Sequence, residues 1–539
     1  MPPTARPARS GSAFFLVAAL ALAAVIPLLG LPIYFRTDDV HWLGWALGHA
    51  NPLAAFDPAQ NLFGYYRPLP TLAWWVMARL FGFEPLGYQL VLAAVAVVAM
   101  VPLFRIGRRL AGHAWGGLLA VTLFHGVTLT ILYYVFWFSA LTFGLELLLL
   151  LLALDAFLSG DRLPGRPRAF VAWALAAGLA KQPALLILPL VCGGLLLQAG
   201  GPWRRRLLWV AGIGGVGLAL LLVTPFVAHR PEALSELAGP ERREFLLQRY
   251  HFYAAWLMRG PTGPLVALAA VAGLFGKRIV GLLVGAIVGI GFHFLPAAVG
   301  LPLWSLLLVA AGWRVAAARP WLPGFFIPAT LLLGVDFHVA TYLLEPLVCL
   351  VPPLVLWLAP PLAVALRGPA ARVDARLRGV FGVLLPVGAA LALVFAAYDR
   401  VPPLVAMRQV RATFRFGVET LLTAPSGTTI GCLTYDELGE TYADIRRRPL
   451  GERVELHKTM NPAQLEKFLR LRGRKDLRVV PLAEARRAAG PVWLFAANSD
   501  EIRALGDVPG AQPLARFDRG RAATAVYRLT TSAPAVTPP

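Results

Sequence analysis

Up to about residue 398 the chain alternates apolar runs, each long enough to cross roughly 30 Å of hydrocarbon, with short polar clusters. The first run, Ala13 to Phe35, carries no charge. It follows Arg6 and Arg9, as a signal peptide would, but about 23 residues is too long for a cleavable apolar core, so it reads as a retained first span. The pattern predicts about thirteen spans, beginning at residues 13, 86, 114, 139, 168, 184, 207, 262, 279, 301, 321, 342 and 379. After Tyr398 the periodicity changes. "GTTIGCLTY", "LRVVPL", "PVWLFAA" and "AVYRLT" read as short strands, and "NPAQLEKFLRLRG" reads as an amphipathic helix opened by Asn461. Residues 1–398 are therefore expected to form a polytopic α-helical membrane domain, with 36–85 as its first outer loop. Residues 399–531 are expected to form a small α/β domain, and 532–539 a disordered tail.

Composition agrees with this division. Of the 539 residues, 58% are hydrophobic and only 15% charged, against roughly 25% charged in soluble domains. The net charge of +21 would suit nucleic acid if the basic residues formed one patch. They do not. "RIGRR", "DRLPGRPR", "WRRR", "GKR", "WRVAAAR" and "RGPAARVDARLR" alternate with apolar hairpins, which is the positive-inside pattern of cytoplasmic loops. The N-terminus is then cytoplasmic and the α/β domain extracytoplasmic, and a nucleic-acid partner is not expected. Fifteen of the 29 acidic residues fall from Asp399 onward, leaving few for the membrane region. Of the three cysteines, Cys192 and Cys349 lie in apolar runs and Cys432 outside them, so no structural disulfide is expected. No Gly-rich phosphate loop opens a helix in the tail, so nothing marks it as a nucleotide-sugar enzyme.

The polar residues of the membrane region make a short set. Asp38, Asp39, His41, Asp57, Arg67, Glu84, Lys181, Arg249, His251, Asp336, His338 and Glu345 fall on the outer side, and Glu146 lies deep in "FGLELLLLLL". Carboxylates, cations and imidazoles converging from several loops onto an apolar surround would build a site at the membrane surface. The plain alternative is that outer loops are wet. In "RTDDVHWLGWALGHA", His41, Trp42, Trp45 and His49 fall at helical spacing, and Asp38 and Asp39 stand where carboxylates also favour a helix N-terminus. Two adjacent carboxylates can equally serve as a general base, since repulsion raises one pKa. A metal site of Asp38, Asp39 and His41 has a spacing that arises too easily by chance, and neither a metal nor another cofactor is expected.

The motifs "TDD", "YYRPLP", "GFEPLGYQLV" and "RIGRRLAG" resemble the opening of the GT-C glycosyltransferases, in particular bacterial enzymes related to protein O-mannosyltransferases and lipid A sugar transferases. "AKQPALLILPLV" is similar to a stretch of that group in which Glu usually stands at the place of Gln182. "FHVATYLLEPLVCLVPPL" resembles a diverged form of its late "RYLYLPSL" segment. The likeness runs from about Phe35 to Leu366. It implies a GT-C fold in a bacterial inner membrane, and transfer of a sugar from a polyprenyl-phosphate donor to an envelope lipid, glycan or protein on the extracytoplasmic face. By that resemblance Asp38 and Asp39 lie at the reaction centre. The residue chemistry suits this: one Asp as base, and Arg67 and Lys181 on phosphate. Inversion by single displacement is taken from the family. Tyr65 and Tyr66, with Trp74 and Trp75, suit sugar stacking or an interfacial belt. Arg249, His251, Asp336, His338 and Glu345, with His41, are further substrate-binding candidates. "WFSALTFG" lacks an Arg often seen in related sequences. The competing readings are a flippase for a polyprenyl-linked lipid, which would show inverted repeats and mid-membrane polar groups, and an inactive GT-C scaffold that recruits a partner.

Overall fold

A computed structural model of the protein describes residues 37–60, 66–112, 114–127, 138–160, 164–181, 401–434, 462–497, 499–519 and 522–530, together with scattered positions elsewhere. The expected first span and the spans from residue 184 to 379 lie outside this set, apart from single positions.

Helix α1 (Thr37–Gly48) opens with the two acids Asp38 and Asp39 in its first turn and stops at a glycine. Helix α2 (Pro68–Phe81) begins with a proline and ends at Gly82, whose φ of +53° suits a residue without Cβ. Helix α3 (Pro85–Ala111) is capped by Glu84, with Pro85 in its first turn, and terminated by left-handed Gly112; Arg108 and Arg109 in its last turn complement the helix dipole. Helix α4 (Ala114–Val127) folds straight back along α3. A Cβ on Gly107 would come within 2.6 Å of the Gly116 carbonyl oxygen, and one on Gly117 within 2.6 Å of that of Phe104, so only glycine allows these backbones to approach so closely. A 3-10 turn (Phe138–Ala140) leads into α5 (Leu141–Phe157), and α6 (Pro167–Ala180) returns antiparallel against it.

Among the described residues, Pro85–Ala111 and Phe138–Phe157 are long and apolar enough to cross a membrane, and Pro167–Ala180 is a shorter apolar helix. Helices α3, α4, α5 and α6 start at or within a few residues of the expected 86, 114, 139 and 168. The segment expected as the first outer loop is itself largely helical. Its α2 packs inward, with Trp74 fully buried and stacked on Trp42 at 6.2 Å. Trp74 is thus core rather than a belt or sugar-stacking residue.

The C-terminal part is a five-stranded mixed sheet, β1 (Thr429–Cys432), β2 (Arg478–Pro481), β3 (Val492–Ala496), β4 (Ala511–Arg519) and β5 (Ala522–Leu529), in the order β2-β1-β3-β5-β4. The first three strands are parallel and β5 and β4 run antiparallel. Pro513 sits on the edge strand β4, beside a register shift, where a missing N–H costs least. Helix α7 (Val401–Leu421) packs on β4 and β5, with Phe416 against Phe517 of β4, and reaches β3 through Phe414 against Phe495. Helix α8 (Pro462–Leu471) buries Leu465, Phe468 and Leu469. Short α9 (Leu482–Ala485) and α10 (Ser499–Gly506) cover the other face of the sheet, where Ala485, Ile502 and Leu505 join Val480, Leu494 and Ala525 in a second core.

The sheet domain and the bundle share one core. Phe468 of α8 is fully buried, edge-on to Tyr34 at 5.9 Å and to Phe83 at 6.1 Å, and tilted against Phe35 at 5.9 Å. Arg472 holds Glu419 through both guanidinium nitrogens at 3.2 and 3.4 Å and donates to the Tyr34 hydroxyl at 3.4 Å.

Candidate functional site

In a helix, successive side chains point about 100° apart, so two adjacent carboxylates cannot share one environment. The two acids of α1 show this. Asp39 turns inward and is completely buried, whereas Asp38 is half-exposed. One oxygen of Asp39, Oδ1, accepts from the Ser139 backbone N–H at 2.8 Å and from the Ser139 hydroxyl at 2.6 Å. Ser139 lies in the turn that opens α5, so Asp39 caps that helix from another element and meets the positive end of its dipole. Around it stands an aromatic wall. Phe138 is edge-on to Phe35 at 5.2 Å, Tyr88 lies 5.6 Å from Phe138 and 5.3 Å from Trp74, and the Tyr88 hydroxyl donates to the Gly82 carbonyl at 2.7 Å.

From Ser139 a polar stripe continues down α5. Ser139, Thr142, Phe143 and Glu146 are spaced three and four apart and so share one face, and Thr142 and Glu146 are buried. Lys181 meets this face from α6. It stands just past the last turn of that helix, in extended backbone, with its N–H bonded to the Ala177 carbonyl. Its side chain is 1% exposed and its ammonium lies 3.8 Å from the centre of the Phe143 ring. A desolvated cation on an aromatic face gains about 2 kcal/mol or more. Phe143 is one turn from Ser139, so the ammonium and the Asp39 carboxylate belong to the same end of the bundle.

The outer rim is tied by backbone carbonyls. Trp75 Nε1 and Arg79 Nη2 both donate to the His49 carbonyl, at 2.8 and 2.9 Å, and the Tyr66 hydroxyl donates to the Phe56 carbonyl at 3.1 Å. Arg67 precedes α2, and its carbonyl accepts from the Thr71 hydroxyl at 2.7 Å. His41 faces the sheet domain, its Nδ1 3.3 Å from the ammonium of Lys467 on α8. Burial, and then the charge of Lys467, hold the His41 pKa below its ordinary value; burial likewise lowers that of Lys467.

Of the residues expected at the site, Asp38, Asp39, His41 and Lys181 thus gather at one end of the bundle, with Tyr66 and Arg67 on the segment leading into α2. Tyr65, Arg249, His251, Asp336, His338 and Glu345 lie outside the described residues. Ser139 and Lys467 were not anticipated. Ser139 carries one signal in the sequence, a lone hydroxyl at the mouth of a long apolar run; Lys467 carries none, because its partner is 426 positions away. Among the described residues no group of three or more His, Cys, Asp or Glu is arranged to hold a metal ion.

A helical bundle with a mixed α/β domain seated on its carboxylate-bearing end is the class these features define. No protein-family model matches the chain, and no curated protein matches it. Among solved structures, it is similar to ArnT from Cupriavidus metallidurans bound to undecaprenyl phosphate, with a TM-score of 0.47 and 15% identity over 98% of this chain and 99% of that one. It is similar to the same protein in the apo state, with a TM-score of 0.47 and 14% identity over 96% and 98%. It is also similar to the mycobacterial arabinofuranosyltransferase AftD, with a TM-score of 0.44 and 14% identity, over 98% of this chain and 42% of that one.

Proposed function

We propose that the protein is an integral-membrane glycosyltransferase of the GT-C type, moving a sugar from a polyprenyl-phosphate carrier to an acceptor hydroxyl on the extracytoplasmic face. The observation that carries this reading is the division within the aspartate pair. Asp39 is buried and bonded to both donors of Ser139, while its neighbour Asp38 remains half-exposed beside it. A fixed carboxylate next to an accessible one suits a base whose backbone must not move.

In this reading Asp38 takes the proton from the acceptor hydroxyl as its oxygen attacks the anomeric carbon. The bond from that carbon to the phosphate oxygen breaks, and the carrier leaves as a phosphate monoester, with inversion at carbon. The second pKa of such a monoester is about 6, so it departs at neutral pH without a strong acid. Lys181 and Arg67 are the cations assigned to its charge, the first as a buried point charge and the second as a planar fork. Asp39 acts through Asp38 by holding the first turn of α1 against α5.

The test is a mass spectrum of envelope glycolipids and glycoproteins from cells with and without the gene. Loss of one hexose, pentose or aminosugar from a defined acceptor is the expected result. Identical spectra, together with no transfer by the purified protein from any polyprenyl-phosphate sugar, would overturn the reading.

A further inference from the structure

Four arginines on and after α8 each pair with a carboxylate. Arg470 pairs with Glu466 one turn away on α8, Arg472 with Glu419, Arg474 with Asp476 at 2.8 Å, and Arg478 with Glu484. Lys467 is different. It is half-buried, and the group its ammonium meets is an imidazole nitrogen, 3.3 Å away on α1. Its stem lies across Gly44 so closely that a Cβ there would come within 2.9 Å of Lys467 Cε. Gly44 and His41 are one turn apart on α1, and His41 is one turn from Asp38. The domain therefore sets a partly desolvated cation, with no carboxylate partner among the described residues, on the helix that begins with the aspartate pair. A neutral His41 can accept a hydrogen bond from that ammonium through Nδ1 and still present a donor at Nε2.

We infer that the C-terminal domain completes the donor site, with Lys467 and His41 forming a binding position for the phosphate of the lipid-linked donor. This rests on the transferase reading above. It gives the sheet domain a direct part in substrate binding, as one wall of the site. The position differs from that of Lys181, which is buried in the bundle against Phe143. With Lys467 added to Lys181 and Arg67, cations would reach the phosphate from both domains, and the full set would form only when α8 is seated on α1.

The experiment uses the full chain in lipid nanodiscs with undecaprenyl phosphate as the probe. Lys467→Gln keeps a donor toward His41 Nδ1 and removes the charge; Lys467→Arg keeps the charge. Lys475→Gln, at an exposed lysine of the same domain, controls for general attraction to anionic lipid. Loss of one charge-assisted phosphate contact predicts roughly tenfold weaker binding for Lys467→Gln, less than about threefold for Lys467→Arg, and no change for Lys475→Gln, with thermal unfolding unaltered. Unchanged affinity in a folded Lys467→Gln protein, or equal losses in Lys467→Gln and Lys475→Gln, overturns the inference and leaves the transferase reading standing. Failure of the unaltered chain to bind undecaprenyl phosphate overturns both.

Discussion

The two ends of the bundle use charge in opposite ways. At the arginine end, Asp155 accepts from Arg109 Nη1 at 2.9 Å, with Arg105 at 3.9 Å, and the two arginine side chains are 37% and 52% exposed. At the aspartate end, Asp39 and Lys181 are sealed from solvent, one bonded to a hydroxyl and a backbone amide and the other set over a phenyl ring. Asp155 is itself buried, but its arginine partners reach solvent, and a pair screened in this way costs less to keep than two sealed charges. Buried charges cost several kcal/mol each unless well satisfied. A chain that maintains the second kind of arrangement at one end and the first at the other is using the ends for different purposes. The aspartate end is therefore the candidate for chemistry.

The contrast breaks most readily at Asp38. Asp38→Asn keeps the shape but cannot take a proton, so transfer is expected to fall roughly 10²–10⁴-fold, while Asp155→Asn at the other end leaves the rate within about twofold. Equal rates for Asp38→Asn and the unaltered protein in a purified transfer assay would remove Asp38 from the chemistry. Lys181→Met, which fills similar space, is expected to weaken binding of a polyprenyl phosphate by on the order of 1.5–3 kcal/mol, measured by titration. Lost stability with unchanged affinity would make Lys181 a packing residue instead.

A smaller effect separates Asp39 from Asp38. Asp39→Ala removes both bonds to Ser139 and is expected to destabilise by about 2–3 kcal/mol in denaturant unfolding, whereas Asp39→Asn, whose oxygen still accepts both, should lose about half as much. If Asp39→Asn proves worse for transfer than Asp38→Asn, their roles are reversed.

The smallest effect is on pH. The folded His41 pKa lies below its ordinary value of about 6.5, so the unfolded chain binds the extra proton first. The contribution of His41 is present above that pH and lost as pH falls below it. Among the described residues, Lys467 faces it from α8 and Asp38 lies one turn away on its own helix. The protection of the amides of residues 462–471, taken relative to their intrinsic exchange rates, should therefore fall modestly from pH 7.5 to 5.5. Lys467→Gln should reduce the change.

Much of this was visible in the sequence, for identifiable reasons. Prolines at 85 and 167 and the glycine at 112 mark helix boundaries, and apolar runs between them leave little ambiguity, so α3, α4, α5 and α6 fall where expected. Strands β1, β2, β3 and β5 lie on stretches rich in Val, Ile and aromatic residues. Strand β4, "AQPLARFDR", was missed because a proline and three charges hide an edge strand. Helix α2 falls within the expected first outer loop, and its aromatics equally suit a membrane interface; only the stacking of Trp74 on Trp42 shows that its face turns inward. For the site, adjacency made the aspartate pair conspicuous, but which of them turns inward depends on the rotation of α1 against α5. No spacing rule encodes that. Ser139 and Lys467 reach their partners across 100 and 426 positions, a distance over which one sequence carries no pattern.

The glycine contacts between α3 and α4 bear on how the molecule is made. Gly112 and one further residue connect these helices, so closing the hairpin costs little loop entropy, and the glycines let it lock with no side chain to rearrange. Such a unit can zip up during synthesis, as soon as its second helix has left the ribosome. The bond from Ser139 to Asp39 must wait for α5, and the seat of Lys467 beside His41 must wait for nearly the whole chain. The scaffold is thus assembled early and locally, and the candidate site is the last part to be completed. A truncated or stalled chain would carry a sound hairpin and no working site.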